Sequence, residues 1–192
     1  FASRRDAVAL AEDDAIAIVG IAGRYPQADT LEAFWDNLRI GRDCIETIPN
    51  ERTDIAAKFR FRSGEASPGH SYAQWGGFLR DVDRFDAAFF NISPKEAELI
   101  DPNERLFLEV AAHAIEDAGY TPDTLAQAHG PRENAVGVYV GVMWGDYQLH
   151  GVDRAQDTWA TPHSFYWSIA NRVSYQFNFS GPSLALDTAC SS

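Results

Sequence analysis

The chain has 192 residues, 45% of them hydrophobic and 23% charged, with a formal net charge of −12. That balance is ordinary for a globular protein and is long enough for one full core or for half of a larger domain. It argues against nucleic acid as a partner; no apolar run is long enough to cross a bilayer, and two cysteines, Cys44 and Cys190, are too few for a disulfide framework.

Residues 1–13 are polar and Ala-rich and read as a linker or a fraying helix. The opening Phe1-Ala2-Ser3-Arg4-Arg5-Asp6 lacks the apolar stretch of a secretion signal, so the expectation is a cytoplasmic protein. Ala15 to Val19 is a continuous apolar run closed by Gly20 and Gly23, the pattern of a buried strand. Thr30 is placed to cap a helix with the apolar face Leu31, Phe34, Trp35 and Leu38, and Gly41 to end it. From Pro49 to Gly77 no period holds, which predicts a long surface excursion.

Regularity returns at Phe85, Phe89 and Phe90. Ser93-Pro94-Lys95-Glu96 then combines a cap, a first-turn proline and a glutamate placed to reach back to the cap. Asp101-Pro102-Asn103-Glu104 repeats the device. It opens a helix whose stripe is Leu106, Phe107, Val110, Ala111, Ala114, Ile115 and Ala118, stopped by Gly119. Ala135 to Val142 reads as a second central strand. Pro162 to Phe177 reads as a helix carrying Phe165, Ile169, Val173 and Phe177, and Ser183 to Asp187 as a final strand. Strands separated by helices, without hairpin signals, predict an α/β layered fold with a largely buried sheet and no internal repeat.

Several motifs bear on chemistry. Gly20-Ile21-Ala22-Gly23 lacks the G-x-G-x-x-G spacing, and Arg24-Tyr25-Pro26 interrupts the start of any phosphate-binding helix, so a tight turn is expected there. Lys58, Arg60 and Arg62 alternate with Phe59 and Phe61; two readings stand, a solvated basic edge or a docking patch for an acidic partner. Met143, Trp144 and Tyr147 follow a strand end, where they line either ordinary core or an apolar substrate channel. No Cys-x-x-Cys pair or His-x-x-x-His spacing points to a metal, and the five histidines are scattered. Cys44 reads as an inert buried thiol. Cys190 stands at the sharp end of an apolar strand among small residues, a context that suits a nucleophile on an elbow, although spacing alone favours a packed structural cysteine.

Taken in order, the landmarks Ile16-Ala17-Ile18-Val19-Gly20-Ile21-Ala22-Gly23-Arg24-Tyr25-Pro26, Phe34-Trp35, Gly76-Gly77-Phe78, Phe85-Asp86-Ala87-Ala88-Phe89-Phe90 and Ile92-Ser93-Pro94 form one pattern with those that follow. These are Asp101-Pro102, Arg105-Leu106 to Glu109, Glu116-Asp117-Ala118-Gly119, Ala170-Asn171-Arg172-Val173-Ser174-Tyr175, Gly181-Pro182-Ser183 and Asp187-Thr188-Ala189-Cys190-Ser191-Ser192. From about Asp14 to the last residue the chain resembles the ketosynthase domain of modular polyketide synthases, within the β-ketoacyl synthase and thiolase-fold superfamily. The stretch Val142 to Gln148 looks more like synthases served by separate, trans-acting acyltransferases.

The resemblance implies a thiolase-like α/β/α/β/α fold of which residues 14–192 form the N-terminal half. It implies that Cys190 accepts an acyl chain from the phosphopantetheine arm of an acyl carrier protein, and that a carbon–carbon bond then forms with a malonyl-type extender. No directly bound cofactor or metal is expected. The partners implied are the acyl carrier protein, the remaining half of the domain, and a second copy in a homodimer. The family's two catalytic histidines lie beyond the cysteine in sequence, so none of His70, His113, His129, His150 and His163 takes their role. Two rivals remain at this level: a non-condensing ketosynthase that only loads and passes acyl chains, and a structural or dimerisation fragment.

Overall fold

Capping chemistry sets the helix ends. A computed structural model of the chain describes residues 15–52, 74–127, 135–145, 147 and 165–192. Helix α1 (Leu31–Ile40) starts where Thr30 Oγ1 accepts the Ala33 N–H at 3.2 Å. It stops at Gly41, whose φ of 65° is the left-handed conformation that glycine adopts without steric cost. Helices α2 (Pro94–Leu99) and α3 (Pro102–Asp117) each carry proline in the first turn, where its missing N–H costs nothing. Ser93 Oγ accepts the Glu96 N–H at 3.2 Å, and Asp101 Oδ1 accepts the Asn103 N–H at 2.8 Å. A short α4 (Pro122–Gln127) follows, and α5 (Tyr166–Gln176) comes later in the chain.

Two small sheets accompany the helices among the described residues. β1 (Glu46–Thr47) pairs antiparallel with β2 (Trp75–Gly76) and closes the base of the predicted excursion. Residues 53–73, which include Lys58, Arg60 and Arg62, lie outside the described residues. β3 (Val138–Gly141) and β4 (Ser183–Leu186) run parallel, with Val138 opposite Ser183 and Gly141 opposite Leu186. Parallel neighbours need a crossover, and α5 lies within it, packing on both strands. α3 packs on α5 in turn, so strand, helix and helix stack in layers. The core sits at their meeting, around Leu108, Val138, Val140, Ile169 and Val173.

Three expectations need correction. Ala15 to Val19 forms no ladder; Ile16 and Ile18 are 95% and 81% exposed. A strand exists only through a neighbour, and among the described residues none lies beside this segment. The following Gly20 to Gly23 is not a tight turn either. A Cβ on Gly20 would lie 2.3 Å from the Ala114 carbonyl oxygen, so this glycine permits close approach to the end of α3. Ile21 N–H donates to Asp117 Oδ2 at 2.8 Å, and the turn comes later, where Tyr25 and Ala28 exchange backbone bonds.

The second correction concerns α3. Its deepest residues are Glu104, Leu108 and Ala112, one four-residue ridge, while the predicted stripe from Leu106 to Ala118 is only partly buried. An apolar-only template passes over a ridge that begins with a charge. Third, among the described residues the β3–β4 sheet is covered on one face. Val138 and Val140 are buried under α5, whereas Tyr139, Leu184 and Leu186 on the opposite side stand substantially exposed. In α5 the expected stripe holds at Ile169, Val173 and the flanking Phe177, which are buried, but not at Phe165, which precedes the helix and stays at the surface.

Candidate active site

The cysteine-bearing turn is built from short polar side chains. β4 ends at Leu186, and Asp187 Oδ1 accepts the Ala189 N–H at 3.0 Å. Ala189 then takes a positive φ of 55°, a strained conformation for a residue with a Cβ that costs on the order of 1–3 kcal/mol. The turn that follows, Ala189–Ser191, is a single 3₁₀ turn. Ser192 holds it from below: its Oγ accepts the Thr188 N–H at 2.9 Å and donates to the Ala189 carbonyl at 2.7 Å. Ser191 Oγ donates to the Thr188 carbonyl at 2.9 Å. Cys190 lies within this pinned turn and is exposed.

The residues after β3 part company. Met143 lines a cavity of about 330 Å³ whose walls also include Leu106, Phe107, Val110, Phe165 and Tyr166. Gly141, at the end of β3, belongs to the same lining. Trp144 adopts a positive φ of 71° and is 70% exposed. Tyr147 directs its hydroxyl to the Glu98 carbonyl at 3.3 Å. Between them the Gly145 N–H donates to the Tyr166 hydroxyl at 3.0 Å, which fastens the segment after β3 to the first turn of α5.

A polar cluster missed by the sequence reading lies beneath the sheet. Arg172 of α5 reaches Glu104 of α3 through Nε and Glu96 of α2 through a terminal nitrogen, both at 2.7 Å. Both glutamates stand where the sequence predicts helix-capping partners; their carboxylates instead clamp a guanidinium from another helix. Burial works against that guanidinium's charge, but the hydrogen bonds and charges of Glu104 and Glu96 outweigh it and hold the Arg172 pKa above its usual value. The remaining oxygen of Glu104 is buried and finds no hydrogen-bond partner among the described residues. The signal available in the sequence was a glutamate in line with Leu108 and Ala112 on a buried ridge, which demands a cation.

Glu109, further along α3, has its pKa raised by burial, against the opposing charge of Arg24, 3.6 Å away, and of His113. Cys44 is half-buried, with its thiol 3.8 Å from the Arg42 carbonyl. His113 is exposed, and the other four histidines lie outside the described residues. Among the described residues no group of three or more His, Cys, Asp or Glu side chains could hold a metal, and no helix is long and apolar enough to cross a membrane.

Comparison with known proteins joins these features. The family model described as β-ketoacyl synthase, N-terminal domain, matches residues 13–192. The polyketide synthase PksL of Bacillus subtilis is 50% identical over 185 residues, covering 94% of this chain and 4% of that protein. The polyketide synthase ThaG of Burkholderia thailandensis is 52% identical over 180 residues, covering 93% and 3%. Among solved structures, the oxazolomycin ketosynthase domain OzmH KS7 of Streptomyces albus aligns with a TM-score of 0.81 at 52% identity, covering 91% of this chain and 29% of that one. The ketosynthase from module 6 of the bacillaene synthase of Bacillus subtilis aligns with a TM-score of 0.73 at 38% identity, covering 93% and 27%. The chain thus spans a small part of the length of the polyketide synthases it matches, and under a third of these two ketosynthase structures. Its fold is the layered, thiolase-like fold of those domains. With a family model matched across residues 13–192 and relatives at half identity over nearly all of it, the chain belongs to the β-ketoacyl synthase family, among the ketosynthase domains of polyketide synthases.

Proposed function

We propose that Cys190 is the acyl-accepting nucleophile of a ketosynthase that condenses the acyl chain with a malonyl-type extender on acyl carrier protein. The observation that carries this is the exposed thiol on a pinned, strained turn at the end of β4, in a chain of this family. A thiolate there attacks the thioester carbonyl of an acyl chain on a phosphopantetheine arm. The tetrahedral intermediate collapses, the phosphopantetheine sulfur leaves as thiolate and takes up a proton, and the acyl group rests on Cys190. In the second half, malonyl thioester loses carbon dioxide, the resulting enolate attacks the acyl-cysteine carbonyl, and Cys190 departs as thiolate. By family resemblance two histidines beyond Cys190 in sequence assist that step.

The acyl chain's apolar part is assigned to the cavity walled by Met143, Phe107 and Phe165. Gly141 lines that cavity and also lies against the cysteine turn, which supports a path from thiol to cavity. Acyl carrier protein and a second copy of the chain are the partners this reading requires. It is tested on the intact ketosynthase-containing protein by incubation with a short acyl thioester, then intact mass and peptide mapping. Label is expected on Cys190 and not on Cys44; label on Cys44, or on neither, rejects the assignment.

A further inference from the structure

Gly141 closes β3 opposite Leu186, the last residue of β4. Its own backbone conformation does not call for glycine, because among the described glycines only Gly41 and Gly119 have a positive φ. A glycine inside a strand weakens it and commonly marks a place where another backbone approaches closely. Here that backbone belongs to the cysteine turn. A Cβ on Gly141 would lie 2.5 Å from the carbonyl carbon of Ser192, 3.0 Å from its oxygen and 3.2 Å from its Cβ. We propose that Gly141 is a positioning residue for Cys190: its missing side chain is the seat on which the Ala189–Ser192 turn rests, and that seat fixes where the thiol stands. The inference builds on Cys190 as the acyl acceptor.

The geometry shows why a side chain at 141 would be felt at the sulfur. Ser192 cannot withdraw alone, since its Oγ is tied to the Thr188 N–H and the Ala189 carbonyl on the near side of Cys190. Its own N–H also donates to the Ala189 carbonyl at 3.1 Å. Nor can the strand end retreat freely, because the Val142 N–H donates to the Leu186 carbonyl at 2.9 Å. The nearest atoms are backbone, so no rotamer change relieves the contact. To reach ordinary contact distance the turn must move by about 1 Å, and a misplacement of that size costs roughly a hundredfold in rate. Gly137, in the segment leading into β3, is a natural control. A Cβ there meets the ring edge of Tyr139 at 2.9 Å, an exposed side chain that can swing aside.

The experiment uses the intact ketosynthase-containing protein as wild type, Gly141→Ala and Gly137→Ala. Three measurements are made: acyl loading from a butyryl N-acetylcysteamine thioester, the pH profile of Cys190 alkylation by iodoacetamide, and thermal melting. Gly141→Ala is expected to load about ten- to a hundredfold more slowly, with the midpoint of its alkylation profile displaced. Gly137→Ala is expected to stay within about twofold of wild type, since only a mobile ring must yield. A folded Gly141→Ala protein that loads at the wild-type rate, with an unshifted profile, overturns the inference. If Gly141→Ala does not fold, Ser192→Ala removes the hydroxyl that transmits the seat to the turn; loading slowed about tenfold supports the coupling and unchanged loading overturns it. Absence of label on Cys190 in the wild type overturns the acyl-acceptor reading itself, which separates the two failures.

Discussion

Replacing Arg172 by Met measures what the buried cluster contributes to the fold. Glu104 is 1% exposed and Arg172 19%, so their 2.7 Å pair is shielded from water, whereas Glu96 is 44% exposed. Removing the cation leaves the Glu104 carboxylate buried, with one oxygen already lacking a partner among the described residues. Breaking such a pair from one side costs about 3–5 kcal/mol, and the lower end applies because Arg172 keeps some contact with solvent. Losing only the exposed partner, in Glu96→Gln, is discounted by solvent screening to about 1 kcal/mol or less. Removing both buried charges together, in Glu104→Leu with Arg172→Met, leaves no orphan and should recover most of the loss. Urea unfolding of the intact domain, comparing midpoints at constant slope, reads all three. Because the Arg172 pKa is raised, its contribution is fully present below the unfolded-state value and is lost only as pH climbs through a strongly alkaline range. The deficit of Arg172→Met should therefore not follow arginine titration anywhere near neutral pH. A deficit under about 1 kcal/mol, or a double variant no more stable than Arg172→Met, would refute this account.

Gly20→Ala should cost about 1–3 kcal/mol in the same assay, because its Cβ would press on the Ala114 carbonyl and the Ala118 backbone at the end of α3; an unchanged midpoint would contradict that packing. Glu109→Gln should stabilise the domain at neutral pH and not in acid. Burial raises the Glu109 pKa, so the fold prefers the protonated form, and wild type loses stability as pH rises from the unfolded value through the folded one; a variant less stable than wild type at pH near 7 but not in acid would reverse the sign. Cys190→Ala should end acyl loading and condensation yet leave some carbon dioxide release from a malonyl-loaded carrier, because decarboxylation needs enolate stabilisation and no thiol. Persistent β-ketoacyl product would remove Cys190 from the mechanism, and a wild type that loads without any decarboxylation would favour a non-condensing ketosynthase.

What the sequence made legible was local. Thr30 and Gly41, Ser93 with Pro94, and Asp101 with Pro102 mark helix ends because capping is settled within three or four residues. The Ile169–Val173–Phe177 stripe is legible for the same reason, being one face of one helix. The Ala15–Val19 segment shows the opposite case. Its composition suits a strand, but a ladder is a relation between distant segments, and nothing within five residues encodes the partner. Glu96 and Glu104 failed differently. Their spacing to Ser93 and Asp101 satisfies a capping template, while the cation that claims them stands 76 and 68 residues away. A buried acidic ridge position was the one local hint that the template was incomplete.

The candidate site divides along the same line. Cys190 stands out through the resemblance carried by Asp187 to Ser192, since spacing alone favours a packed thiol. The turn itself is held locally by Asp187, Thr188, Ser191 and Ser192, but the strand that leads to it is held from elsewhere in the chain, much of it through α5. At the start of β4, Ser183 Oγ donates to Asn171 Oδ1 at 2.7 Å, one residue before the arginine that locks α5 to α2 and α3. At the helix's first turn, Tyr166 holds Gly145 beyond the end of β3. The strand that leads to the cysteine is therefore fixed at its start by α5, and at its far end by Gly141 and Val142 of a strand end that α5 also holds. Loosening Arg172 and filling Gly141 should thus act on one property, the placement of the sulfur, from opposite sides. The first would do so through stability shared by the whole domain, the second at the turn itself. Comparing acyl loading per folded molecule in the two variants distinguishes a scaffold effect from a positioning effect, and only the Gly141 variant should lose rate after that correction.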